Sequence, residues 1–225
     1  MNAAYPRDSL TRSVEDYLKA IYRLTSSGNP AATSDIAGLL EISPPSVSGM
    51  VKRLSEQGLL AHVPYRGVEL TDAGRRAALR MIRRHRLIES YLVAHLGYTW
   101  DTVHDEAERL EHAVSDDLVA RMAAALGDPE FDPHGDPIPA ADGSMAAHAF
   151  TPLDELPVGS DAVVRRVATS DPARLRYVAE LGLQPGARVH VSAREPFGGP
   201  ITLEVEGGAQ VLGGELSALL LCERS

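Results

Sequence analysis

The 225-residue sequence predicts an α+β fold in three parts: helices with a β-hairpin, then long helices, then a group of short strands. Apolar residues recur at helical spacing in the first half of the chain, whereas the last third has short runs rich in β-branched residues between glycine turns. The composition, 44% hydrophobic and 24% charged, is that of an ordinary globular protein. We therefore predict two or three small folded units rather than one large barrel.

Charge is distributed unevenly along the chain. Residues 1–90 contain 13 Lys and Arg against 9 Asp and Glu, whereas residues 91–225 contain 9 against 22. The first part therefore has a net charge of +4 and the remainder −13, in agreement with −9 for the whole chain. A basic region of this kind suits a phosphate backbone. The acidic remainder needs protons, solvent or metal cations to offset the repulsion between its own charges.

The single cysteine, Cys222, excludes a disulfide framework and an all-cysteine zinc site. The first ten residues lack the basic and apolar segments of a secretion signal, and no run of 18 apolar residues occurs. We therefore expect a cytoplasmic protein that does not contact a membrane.

Three helices are predicted in the first 58 residues. The first covers residues 13–26 with Ser13 as its N-cap, the second is capped by Thr33, and the third follows Ser43 with a proline at its first position. Four apolar residues of the third helix recur at the spacing of one buried face: Val47, Met50, Val51 and Leu54. Its other face, which is small, hydroxyl-bearing and basic, therefore points to solvent.

Two extended runs follow, over residues 59–63 and 68–70, and a Pro-Tyr-Arg-Gly turn joins them. Three helices and a hairpin in this order predict a winged helix-turn-helix, whose third helix enters the major groove of DNA. The alternative is part of a helical bundle in which the serines only cap helices. We expect seven residues of the third helix and the hairpin to contact DNA: Ser43, Pro45, Ser46, Ser48, Lys52, Arg53 and Arg66.

Two long helices are predicted next, from Thr71 to about His95 and from about Asp101 to Leu126. The first places a histidine and a glutamate four residues apart, and the second places two histidines and two glutamates in a stripe about 100° wide. If these helices pack together, two imidazole and carboxylate groups form: His85 with Glu89 and His104, and Glu108 with Glu111 and His112. The alternative is a solvated acidic surface.

Imidazole and carboxylate donors without a thiolate suit Mn²⁺, Fe²⁺, Co²⁺ or Zn²⁺, and a carboxylate-rich set favours Mn²⁺. We expect Mn²⁺ as the cofactor, with Fe²⁺ as the alternative and other divalent transition metals as substitutes in vitro. Surface or packing roles are predicted for Cys222 and for the remaining histidines: His62, His95, His134, His148 and His190.

Residues 127–150 are dense in Pro, Gly and Asp, which predicts a domain boundary and a linker. A new domain is predicted to begin near Thr151. Its strand-like runs, together with a helix over 172–181, predict a small β-barrel; the runs cover residues 162–168, 187–193, 201–206 and 219–223.

Several strings resemble the metal-dependent repressors related to the diphtheria toxin repressor. They are SVEDYLKAIYRL and ISPPSVSGMVKRLSEQGLL in the N-terminal region, then HRLIESYL (85–92), VHDEAERLEHAVSD (103–116) and GDPIP (135–139). DPARLRYVAELGLQPGARV and PFGGPITLEV resemble the SH3-like FeoA-type domain of the longer members. The resemblance implies a winged-helix domain, a helical metal-binding and dimerisation domain, a linker and an SH3-like domain, over residues 1–74, 75–140, 141–151 and 152–225.

The resemblance also implies two metal sites. His85, Glu89 and His104 match the ancillary site of the family, and Asp171 falls near an additional ancillary ligand, although it also suits a helix cap. The primary site matches Asp16, Glu108, Glu111 and His112. Iron-responsive members have Met and Cys where this chain has Asp16 and Glu108, so the chain resembles the manganese-responsive branch.

The resemblance therefore implies a homodimeric transcriptional regulator of metal homeostasis genes that binds a palindromic DNA operator when divalent metal is present. Two other functions would require different features of the sequence. A metal-dependent hydrolase lacks support because the sequence has no HExxH, G-x-S-x-G or phosphate-binding glycine loop, so we expect no enzymatic activity and no small organic substrate. A metal-independent repressor that senses an organic ligand remains the alternative.

Overall fold

A computed structural model describes residues 10–26 and 28–225, which form two compact units. One unit contains the described residues up to Arg83 together with 139–145, and the other contains 84–138 and 146–225. None of the helices in the described part of the chain combines the length and apolar character that a membrane crossing requires. The four-part division at residues 74, 140 and 151 stays a prediction.

The first unit contains three helices and an antiparallel hairpin, which is the arrangement predicted for a winged helix-turn-helix. A single core of buried aliphatic side chains and Tyr17 joins the helices to the hairpin. The long fourth helix begins in this unit. In chain order the elements are α1 (Arg12–Thr25), α2 (Thr33–Leu40), α3 (Pro44–Glu56), β1 (Leu60–Val63), β2 (Gly67–Leu70) and α4 (Asp72–Leu96).

Two predicted caps are displaced by one or two residues. The N-cap of α1 is Thr11 rather than Ser13, and the N-cap of α2 is Ala32 rather than Thr33. Backbone bonding explains both shifts, because the carbonyls of Thr11 and Ala32 already accept the first helical hydrogen bonds. Ser43 precedes α3 in an extended conformation as predicted, with Pro44 at the first helical position.

The predicted helix over residues 101–126 is wrong, because the chain forms two helices there, α5 (Val103–Leu110) and α6 (Asp116–Ala125). Ser115 is extended and its side-chain oxygen accepts a hydrogen bond from the Leu118 amide, so a new helix begins after it. Glu111 and His112 consequently lie in the turn after α5. The stripe of four ligands on one continuous helix face is not formed.

The C-terminal strands form one antiparallel sheet in the order β3-β8-β4-β5-β6-β7, and the sheet is not closed into a barrel. The predicted strands are confirmed, whereas β3 and β7 were missed because one is very short and the other contains glycine. Cys222 is buried in this core, where burial raises the pKa of its thiol to about 12. The elements are β3 (Thr151–Pro152), β4 (Asp161–Val167), α7 (Pro172–Glu180), β5 (Arg188–Arg194), β6 (Ile201–Val205), β7 (Gly208–Leu212), α8 (Gly214–Ser217) and β8 (Leu220–Arg224).

Part of the segment predicted as a linker, residues 131–138, is folded. Phe131 and Pro137 form an isolated antiparallel bridge. Within this loop Asp132 Oδ1 accepts hydrogen bonds from the amides of His134 at 2.8 Å and Asp136 at 2.9 Å. These hydrogen bonds hold the loop in a defined conformation without a helix or strand. The linker interpretation is therefore wrong for this stretch.

Candidate metal centre

Three of the predicted ligands meet where α4 and α5 pack together. His85 and Glu89 are one helical turn apart on α4, and His85 Nε2 lies 2.9 Å from Glu89 Oε1. His104 on α5 brings its Nδ1 to 3.0 Å from the same oxygen and 3.1 Å from His85 Nε2. The residues predicted as one nitrogen and oxygen site therefore lie within hydrogen-bonding distance of one another.

Glu108 and Glu111 lie beside the same histidines. Glu108 Oε1 is 3.8 Å from both His85 Nδ1 and His104 Nε2, so His85, His104 and Glu108 form a group with ligand atoms within 4.8 Å of one another. We call this group the helix cluster. Glu111 is fully buried and its Oε2 lies 2.6 Å from His85 Nδ1, while its Oε1 is 3.4 Å from His112 Nε2. Glu111 thus connects His112 to the helix cluster.

A second group, the loop cluster, consists of Glu89, Asp132 and His134. These side chains belong to residues only 2%, 8% and 5% exposed, and their ligand atoms lie within 4.8 Å of one another. The sequence interpretation missed Asp132 and gave His134 a surface or packing role. The Asp-Pro-His-Gly-Asp string at 132–136 was the available signal, because a histidine between two aspartates in a tight loop concentrates metal-binding side chains.

The hydrogen bonds of His134 orient its ring for ligation. Its Nε2 lies 2.6 Å from the backbone carbonyl oxygen of Trp100, and a carbonyl only accepts, so this nitrogen carries a proton. In the neutral ring Nδ1 then has the lone pair, and it lies 3.8 Å from Glu89 Oε2. Metal-binding histidines commonly donate their other N–H to a carbonyl in this way.

Glu89 and Asp132 have opposite pKa shifts. Burial raises the pKa of Glu89, but hydrogen bonds from His104 and His85 and the charges of nearby histidines outweigh it, so this pKa lies below its ordinary value. Burial, followed by the negative charges of Asp136 and Glu89, raises the pKa of Asp132 well above its ordinary value. A bound cation would relieve the repulsion between these buried carboxylates and favour their ionised forms.

The loop that carries Asp132 and His134 is fixed on two sides. On one side Arg86 of α4 bonds Asp136 at 3.0 Å and also the Pro137 carbonyl, and its Nε lies 3.6 Å from Asp132. On the other side the loop contacts β4 of the sheet, where the Val167 amide donates to the His134 carbonyl at 2.8 Å. The loop cluster is therefore held between α4 and the C-terminal sheet.

The remaining predicted ligands, Asp16 and Asp171, belong to other helices. Asp16 is a partly buried residue of α1 in the first unit, and its role as a ligand stays a prediction. Asp171 is the N-cap of α7, where its Oδ1 accepts from the amides of Ala173 at 2.8 Å and Arg174 at 3.3 Å. The capping alternative for Asp171 is therefore confirmed, and a ligand role stays untested.

The predicted DNA-facing residues form an exposed set on the first unit. Ser43 Oγ lies 2.8 Å from Ser46 Oγ, and Ser48 Oγ donates to the Pro44 carbonyl at 3.1 Å. These bonds are local, so the hydroxyl groups remain at the surface of α3. The exposed residues are Ser43, Pro45, Ser46, Ser48, Lys52, Arg53 and Arg66.

Three family models match the chain and together cover nearly all of it. The N-terminal DNA-binding domain of iron-dependent repressors matches residues 9–68, and their metal-binding and dimerisation domain matches residues 71–140. The FeoA domain matches residues 151–224. The matched order agrees with the winged-helix, helical and SH3-like parts that the sequence predicts.

Curated relatives and solved structures agree with these models. The iron-dependent repressor IdeR of Mycobacterium leprae is 38% identical over 208 residues, covering 87% of this chain and 90% of that protein. The diphtheria toxin repressor of Corynebacterium diphtheriae is 39% identical over 175 residues, covering 75% of this chain and 72% of that protein.

Among solved structures, a manganese-dependent transcriptional repressor in complex with manganese has 42% identity and a TM-score of 0.88, covering 94% of this chain and all of that one. The structure of ScaR with bound Zn²⁺ has 36% identity and a TM-score of 0.80, covering 94% of this chain and 99% of that one. The chain therefore belongs to the iron-dependent repressor family, whose members are metal-dependent DNA-binding transcriptional regulators and not enzymes.

Proposed function

We propose that this protein represses metal homeostasis genes by binding a palindromic operator as a homodimer when Mn²⁺ is bound. The observation that carries the proposal is the buried junction at Glu89, which contacts His85 and His104 with one oxygen and faces His134 with the other. Imidazole nitrogens of His85, His104 and His134 and carboxylate oxygens of Glu89 and Asp132 are brought together in the second unit, and this is the donor set of a divalent-metal site. A cytoplasmic location is part of the proposal.

The donor set supports Mn²⁺ as the activating metal. The helix and loop clusters offer imidazole nitrogens and carboxylate oxygens, and the single thiol, Cys222, lies in the core of the C-terminal sheet. Thiolate and thioether donors favour the later divalent metals, whereas carboxylate-rich sets suit Mn²⁺. Fe²⁺ is the alternative, because the relatives include iron-dependent as well as manganese-dependent repressors.

We assign the ancillary ligands to His85, Glu89 and His104, and we add Asp132 and His134 to this region of the second unit. The resemblance assigns the primary ligands to Asp16, Glu108, Glu111 and His112. A bound divalent cation would neutralise these carboxylates and cross-link the elements that carry them. Without that neutralisation the carboxylates repel one another, so the conformation that presents α3 to DNA is less populated.

The proposal is tested by measuring DNA binding of the full chain with and without metal. Duplexes selected from random sequence in Mn²⁺ would supply the operator, and fluorescence anisotropy would give its affinity in Mn²⁺ and in chelator. We expect specific binding only with metal. The same titration is followed through Trp100, the single tryptophan, whose ring stacks on His134 with centroids 5.7 Å apart. Equal operator affinity with and without metal would contradict the proposal and favour the organic-ligand alternative.

Replacing Asp16 with Met and Glu108 with Cys is expected to shift activation from Mn²⁺ toward Fe²⁺, Co²⁺ and Ni²⁺. The two new donors are a thioether and a thiolate, which bind the later metals more tightly and offer little to Mn²⁺. Operator binding would be titrated with each ion, under exclusion of oxygen for Fe²⁺.

The control for this double variant is His85→Ala. His85 is assigned to the ancillary site, so its loss is expected to raise the metal concentration required and to lower thermal stability in metal. The order of metal preference should stay as in the wild type. An unchanged Mn²⁺ response in the double variant would show that Asp16 and Glu108 do not select the metal.

A further inference from the structure

The tip of the β1–β2 hairpin contains a tyrosine in a backbone conformation that suits glycine. The Arg66 amide donates to the Val63 carbonyl at 3.0 Å, which closes a four-residue turn with Pro64 second and Tyr65 third. Tyr65 has a φ of +62°. Proline at the second position and positive φ at the third are the features of a type II turn, where the third residue is normally Gly or Asn.

Tyr65 contributes nothing evident to the core that would offset this strain. Its side chain is fully exposed, and its ring belongs to none of the buried clusters of the described residues. A bulky residue in the left-handed region is a conformational outlier, and such outliers are concentrated at functional sites. The residue is therefore better explained by a contact made outside the folded chain than by packing within it.

The hairpin beneath this tip is firmly anchored. Ala31 and Val68 exchange two backbone hydrogen bonds of 2.8 and 3.0 Å, and Gly67 has a φ of +117°. A Cβ atom at Gly67 would lie 2.0 Å from the Ala31 carbonyl oxygen, so this contact requires glycine. The anchor holds the backbone of the turn in place, so a partner that binds Tyr65 has to order its side chain but little of the backbone.

We propose that Tyr65 is a DNA-contacting residue, with its ring against a deoxyribose beside the major groove that α3 enters and its hydroxyl donating to a phosphate. This inference rests on the proposed function. Tyrosine is among the side chains that bond phosphate oxygens, and its ring supplies apolar surface for the sugar. DNA is favoured over a protein partner because the exposed Arg66 is adjacent and residues 1–90 carry a net charge of +4.

The test compares Tyr65→Gly and Tyr65→Phe in the full chain with Mn²⁺ and the selected operator. Glycine suits the turn, so Y65G should keep or raise the thermal unfolding midpoint while operator affinity falls about tenfold. Y65F, which loses only the hydroxyl, should fall between wild type and Y65G. Because no cation is removed, the dependence of affinity on salt should keep its slope, whereas Arg66→Ala should lower that slope by about 0.9.

Phe197→Gly is the matched control, since Phe197 is likewise fully exposed at a turn with a φ of +59°, but lies in the C-terminal domain. F197G should keep operator affinity unchanged. Wild-type affinity in Y65G, or an equal loss in F197G, would overturn the inference while metal-dependent binding by the wild type still stands. Failure of the wild type to bind DNA with metal would instead overturn the proposed function, and this inference with it.

Discussion

Replacement of Glu89 by Gln is expected to raise the Mn²⁺ concentration needed for operator binding by about 100-fold. Glu89 links the loop cluster, to which it belongs, to the helix cluster, since its Oε1 lies within 3.0 Å of His85 and His104 and its Oε2 faces His134. Glutamine keeps the size of the side chain and removes its negative charge. The three imidazoles then have one fewer anion to share, and a bound cation loses a carboxylate ligand.

The measurement is an operator-binding titration with Mn²⁺, together with thermal unfolding of the metal-free protein by circular dichroism. Asp105→Asn is the control, because Asp105 is an exposed acid of the neighbouring helix α5 and belongs to neither cluster. It should leave the titration unchanged. If E89Q responds to the same Mn²⁺ concentration as wild type while remaining folded, Glu89 is not a shared ligand and the assignment of the ancillary site is wrong.

The parts of the fold with strong local patterns were predicted from the sequence. The four apolar residues of α3 recur at the helical period, and Ser43 with Pro44 marks its start. The exposed face of α3 could therefore be identified from the sequence. The spacing of four residues between His85 and Glu89 also placed both on one face of α4, and the structure brings His104 to them. In these cases local propensity and tertiary packing favour the same conformation.

The errors arose where tertiary contacts decide the structure. α5 ends at Leu110 and Ser115 caps the next helix, although acidic and apolar residues continue across this turn at helical spacing. The loop at 131–138 has no regular period, and its conformation depends on Asp132 bonding backbone amides and on Arg86 bonding Asp136 and the Pro137 carbonyl. A composition rich in Pro, Gly and Asp is typical both of a linker and of such a folded loop, so composition does not distinguish them. The sequence alone therefore could not place Asp132 and His134 beside Glu89.

Replacement of Gly135 by Ala is expected to lower the free energy of unfolding by about 3 kcal/mol and to weaken the response to metal. A Cβ atom there would lie 1.8 Å from the Arg165 carbonyl oxygen, and Gly135 has a φ of +85°. Because the obstacle is backbone of β4, a side-chain rotation cannot relieve it. The loop must shift away from the sheet, and it carries Asp132 and His134 with it.

Gly182→Ala is the control that measures the cost of a positive φ without a steric clash. Gly182 has a φ of +72° and no atom within 4 Å of a Cβ built on it, so alanine there should cost only about 1 kcal/mol and leave the metal response intact. Urea denaturation followed through Trp100 would give both free energies, since Trp100 packs against the C-terminal core and its carbonyl accepts from His134. Equal losses in the two variants would show that contact with β4 does not hold the loop. A larger loss in G135A, together with a higher Mn²⁺ requirement for operator binding, would mean that the C-terminal sheet helps to position the metal ligands.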